Sequence, residues 1–124
     1  MLKEIKDVKQ ESGNVRKRWF SDDYFDLIVW ENEEKDIVTF QLCYNINVNE
    51  HAFYWVADQP TTHHKVDDGD RPGAIKRTPV LLPESRYDAL KILKKFIDHS
   101  GLLEKATAKF IVRKIYELSK NQQQ

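Results

Sequence analysis

"DIVTFQLCYNINV", residues 36–48, decides the fold. Val38, Phe40, Leu42, Tyr44, Ile46 and Val48 fall two apart, and Thr39, Gln41, Asn45 and Asn47 separate most of them. Side chains alternate faces along an extended chain, so this period predicts a half-buried strand. Upstream, "YFDLIVW" (24–30) is apolar on both parities, as a strand covered on both faces would be, and "ENEEKD" (31–36) supplies a polar turn. Downstream, "NVNE" (47–50) turns the chain into "HAFYWVA" (51–57), with Phe53 and Trp55 on one face and Tyr54 and Val56 on the other. "VRKRWF" (15–20) follows the turn signal "SGN" and is placed to pair with residues 2–10. That first segment is ambiguous, because Leu2, Ile5 and Val8 are spaced by three. Short turns between successive strands imply an antiparallel meander of five or six strands.

The character changes after "TPVLLP" (78–83). Pro83 cannot continue a central strand, and Ser85 with Asp88 three residues later reads as a capping box. Tyr87, Leu90, Leu93 and Ile97, with Ala89 and Phe96 beside them, then form one helical stripe, and Gly101 is a helix stop. A second helix is expected from about residue 102 to 119, burying Ala108, Ile111, Ile115 and Leu118. The fold class is therefore α+β: an antiparallel sheet followed by two C-terminal helices packed on one of its faces. Residues 1–119 form one domain, and 120–124 are a frayed polar tail.

A chain of 124 residues is long enough for a core without staples, and its 40% apolar content suits a globular fold. Twenty basic and 20 acidic residues give zero net charge, which argues against a protein that coats nucleic acid or anionic membrane. One cysteine, Cys43, excludes an internal disulfide and any cysteine-based zinc cluster. There is no signal-peptide core and no run approaching the roughly 18 apolar residues of a membrane span, so a cytoplasmic location without membrane contact is expected.

Chemistry concentrates in "THHKVDDGDRPG", residues 62–73. If the segment is extended, His63 and Asp67 share a face about 13 Å apart, at about 3.3 Å per residue. Metal ligands sit at about 2.0–2.3 Å, so that pair cannot clasp one ion, and His63 and His64 point to opposite faces. The aspartates do not follow the twelve-residue calcium pattern either. No metal or other cofactor is implied. An anion pocket is the weaker reading of this loop: Arg71 can clamp a carboxylate or phosphate with two parallel hydrogen bonds beside Lys76 and Arg77. The competing reading pairs Arg71 with its own neighbours Asp67, Asp68 or Asp70, leaving a solvated turn from Asp67 to Gly73 between two strands. The connection from 58 to 78 is longer than an ordinary hairpin needs, which draws attention to it.

Three further readings compete. "RKRWF" (16–20) mixes cations and aromatics as nucleic-acid binders do, but snorkelling cations on an edge strand explain it as well. Cys43 could be approached by His51 across the "NINVNE" turn; without a cation or helix N-terminus beside it, a buried inert thiol is the simpler reading. Finally, two helices cover one sheet face only. The other, carrying some of Trp30, Tyr54 and Trp55, then calls for a partner, a second copy or a ligand.

The blocks "RKRWFSDDYFDLIVW", "FQLCY" and "VDDGDRPG…KRTPVLL" resemble a family of small bacterial proteins with no known activity. The resemblance spans about residues 16 to 83 and implies a bacterial origin, but no activity, cofactor or site residue. The sequence thus favours a small binding protein over an enzyme, using the aromatic sheet face or the 58–78 loop toward a protein, a homodimer partner or a small ligand. The alternative is an enzyme or small-anion pocket under that loop, built from His63, His64, Asp67, Asp68, Arg71 and Lys76.

Overall fold

The computed structural model describes residues 1–10, 13–46, 48–66, 80–81 and 87–122. Its sheet is an antiparallel meander in sequence order: β1 (Lys3–Glu4), β2 (Arg16–Ser21), β3 (Phe25–Glu31), β4 (Ile37–Tyr44), β5 (His51–Val56), β6 (Thr62–Lys65) and β7 (Val80–Leu81). Helices α1 (Ala89–His99) and α2 (Lys105–Gln122) follow. The expected α+β architecture is therefore present: β2 to β6 form the body of the sheet, and two-residue strands extend it at both ends. Residues 120–122, expected to fray, continue α2.

The four hairpins from β2 to β6 are each turned by an Asp or Asn. Asp22 Oδ1 accepts from the backbone N–H groups of Tyr24 and Phe25 between β2 and β3. Asn32 Oδ1 does the same for Glu34 and Asp36 between β3 and β4. Asn45 (φ 56°) and Asp58 (φ 69°) take left-handed conformations at the next two turns, which their short polar side chains tolerate. These turns fix the register: Tyr44 faces His51 and Phe53 faces His63, so the helix-side residues of neighbouring strands stand opposite one another.

The helix-side face is the core. Phe25, Leu27, Val29, Phe40, Leu42 and Phe53 are fully buried there, against Phe96 of α1 and Ile111 and Ile115 of α2. On β3 the burial alternates strictly, and Asp26, Ile28 and Trp30 stay partly exposed on the other face. The strand read as covered on both sides is thus covered on one. Its second face instead carries Asp26, which accepts from Trp19 Nε1, and Trp30, with Lys17 Nζ 5.9 Å from its ring centroid.

Helix α1 also departs from its expected stripe. Asp88 caps it, accepting from Lys91 N at 3.1 Å, so Tyr87 precedes the helix. Ala89, Ile92, Leu93 and Phe96 are buried, whereas Leu90 (46%) and Ile97 (51%) are exposed. Ile92 and Phe96 flank Leu93 on one side, Leu90 and Ile97 on the other. A helix on a sheet can bury only one side, and the one carrying Phe96 fills more volume.

Arg18 links strands to helix. Its guanidinium holds Glu4 with two bonds of 2.8 Å, Glu104 just before α2 at 2.9 Å, and the buried Glu31 at 3.3 Å. At the outer edge of β2, Gln10 lies alongside Lys17. Its amide accepts from Lys17 N at 2.8 Å and donates to Lys17 O at 2.9 Å.

Candidate ligand cleft between the β4–β5 turn and helix α1

The C-terminal end of β4, the start of β5 and β6 bring three rings side by side on the helix-side face. Tyr44 and His51 stand opposite each other in register with centroids 5.8 Å apart, and His51 and His63 are 5.2 Å apart with planes 14° from parallel. Tyr87, held where the chain enters α1, closes on this row and stacks on His63 at 3.6 Å and 12°. Across the strands, Tyr24 from the β2–β3 turn lies 6.5 Å from Tyr44. Tyr24, Tyr44, His51 and Tyr87, with Ile92, form the floor and one wall of a cleft of about 420 Å³, with His63 stacked behind them and a rim of Asn45, Asn49, Asp88, Lys91 and Lys95.

The protonation states follow from burial. Tyr44 Oη and His63 Nε2 are 2.6 Å apart in a buried bond. Burial first, then the neighbouring His51 and His64, pushes the His63 pKa down to about 3, so this imidazole is neutral at ordinary pH. The Tyr44 phenol is driven the other way by burial, with Tyr24 and Tyr87 adding to it, and Tyr24 and Tyr87 are themselves raised by burial. All three phenols therefore remain O–H groups that can donate. His51 Nδ1 donates to the Asn49 carbonyl at 2.9 Å, since that oxygen can only accept. In the neutral ring Nε2 is then the acceptor.

The rim carries the charge. Lys91 and Lys95 lie on successive turns of α1, with Lys95 Nζ 3.8 Å from the centroid of Tyr24. Among the described residues no carboxylate pairs with either ammonium. Asp88, the acidic group on the rim, is engaged with the first turn of α1. The cleft thus combines two cations without a carboxylate partner, protonated phenols and a π-surface.

The residues singled out from sequence divide. His63 is buried behind the cleft, stacked on His51 and Tyr87, and does not line it. His64 lies on the opposite sheet face, as strand geometry requires, with Nε2 2.6 Å from Thr62 Oγ1. Asp67, Asp68, Arg71 and Lys76, with the Asp67–Gly73 turn, lie outside the described residues. Among the described residues, no group of three or more His, Cys, Asp or Glu is placed to hold a metal ion. Cys43 is fully buried with Ala52 and Val66, and burial first, then Glu50 and Asp26, raises its thiol pKa well above normal. It faces away from His51, because Ala52, not His51, is its register partner.

Of the aromatic-surface residues, Trp55 is 6% exposed on the helix side, against Phe40 and Phe110 of α2, and does not share a face with the other two. Trp30 and Tyr54 do lie on the face turned away from the helices, partly exposed, beside Trp19, whose Nε1 donates to Asp26 at 2.7 Å, although Gln41, Cys43, Ala52 and His64 on that face are buried. Sequence reasoning missed Tyr24, Tyr44 and Tyr87 as cleft residues and placed His51 beside Cys43. Lys91 and Lys95, four apart after a capping Asp, are the signal that could have pointed to the rim.

No family model, no curated protein and no solved structure matches the chain. Among the described residues no helix is long and apolar enough to cross a membrane.

Proposed function

We propose that the chain is a small cytoplasmic binding domain that captures an anionic small molecule in the cleft between the β4–β5 turn and α1, without catalysing its reaction. The observation that carries this is the pair Lys91 and Lys95, without a carboxylate partner, above a ring-lined cleft of about 420 Å³. Small-molecule sites are concave, largely apolar and furnished with a few convergent polar groups, in volumes of about 300–1,000 Å³. A buried reduced thiol as the sole cysteine suits a cytoplasmic setting.

The test is a set of amide NMR spectra of the chain with a mixture of small organic anions. The expected outcome is shifts at Asn45, Asn49, His51, Lys91 and Lys95. Unchanged spectra at millimolar anion would refute the proposal.

A second reading assigns a protein partner or second copy to the part of the sheet face away from the helices where Trp19, Ile28, Trp30, Tyr54 and Val56 keep partial exposure. It predicts a mass in solution above that of one chain, or broadening confined to those strands.

A further inference from the structure

We infer that the ligand of this cleft is a flat ring bearing an anionic group, the chemistry shared by an aromatic carboxylate and a mononucleotide. The inference rests on the cleft being a small-anion site and adds what else the anion must carry. Tyr44, His51 and His63 present planes within 14° to 32° of one another, and His51 and Tyr87 line the opening while retaining partial exposure. A planar partner extends such a row and removes ring surface from water without needing further donors.

The charge requirement comes from the other wall. Side chains four residues apart on a helix start about 6 Å apart, so both ammoniums can reach one carboxylate or phosphate. Lys95 already lies against the face of Tyr24, which places the cation beside π-surface rather than out in solvent. Among the described residues the hydroxyls of Tyr24 and Tyr87 have no hydrogen-bond partner, and both are held protonated by burial. They can donate to the same anion or to a ring substituent. An uncharged ring would leave two cations unanswered, whereas a bare anion would leave the ring floor wet.

Four probes separate these requirements in amide NMR titrations of the full chain. Benzoate and adenosine 5′-monophosphate carry ring and charge, ribose 5-phosphate carries charge without a π-ring, and benzyl alcohol carries a ring without charge. We expect benzoate or the nucleotide to shift Asn45, Asn49, His51 and Lys91, with a dissociation constant about tenfold or more below those of the other two probes. Whichever of the two binds tighter identifies the source of the ring. The double variant Lys91→Gln/Lys95→Gln, confined to exposed positions, should weaken that binding about tenfold or more while leaving the remaining spectrum in place. Equal binding of ribose 5-phosphate and the nucleotide, or of benzyl alcohol and benzoate, would overturn the inference and leave a less selective cleft. Absence of cleft shifts with all four would remove the small-anion reading as well.

Discussion

Two buried groups, His63 and Asp22, tie stability to pH. His63 has its pKa lowered from 6.5 to about 3, so the unfolded chain takes up a proton below about pH 6.5 that the folded chain refuses. Its contribution to stability is complete above pH 6.5 and is lost progressively as pH falls toward 3. Urea unfolding at a series of pH values should show the midpoint declining already between pH 6.5 and 5, and His63→Gln should flatten that part of the profile. A second decline belongs to Asp22. Burial raises its pKa, but the Phe25 and Tyr24 amides and the His99 ring at 2.7 Å outweigh that, leaving it below the normal 3.8. Its contribution is present above 3.8 and disappears as pH drops through the depressed value, so it survives His63→Gln. Arg18 offers a contrast between buried and exposed partners. Arg18→Met strands Glu31, whose side chain is 7% exposed, and should cost about 2–3 kcal/mol in denaturant unfolding. Glu104→Ala, removing a partner 68% exposed, should cost less than about 1 kcal/mol.

At the level of elements, α1 separates what pattern can and cannot say. Its existence and its Gly101 end are legible, because helix-stopping residues act locally, whereas the cap is Asp88 and not Ser85, so the helix starts three residues later than the capping box implies. Which side of Leu93 turns inward is not, since Leu90 and Ile97 fit the period as well as Ile92 and Phe96. The choice is made by the shape of the sheet surface, a tertiary fact. Phe96→Ala should therefore cost about 3–5 kcal/mol in thermal or denaturant unfolding, and Leu90→Gln should stay within about 0.5 kcal/mol of the parent. The strands were readable for the opposite reason: period-two alternation in β4 and the Asp and Asn turns each allow one register. Of the cleft, only His63, which lies behind its lining, is legible as a candidate. Tyr24, Tyr44, His51 and Tyr87 come together from four places in the chain, and no local pattern encodes a meeting of that kind.

The molecule as a whole is a meander closed on one side by two helices, so neighbours in sequence are neighbours in space. Such a sheet has two edges, and an edge with free peptide groups is a template for another chain. On the β2 side, β1 pairs only with Phe20 and Ser21, which leaves the half of β2 nearer Arg16 without a strand beside it. Gln10 stands in that gap, its side-chain amide bonded to both polar groups of the Lys17 peptide as a neighbouring strand would be. One primary amide thus serves as a single-residue counterfeit strand, satisfying the template without offering a backbone that could be copied further. Removing it leaves the fold's own pairings untouched but reopens a docking point for a second molecule. Gln10→Ala should unfold at nearly the parent's midpoint, yet form oligomers at concentrations where the parent remains dispersed, as light scattering during prolonged incubation would register.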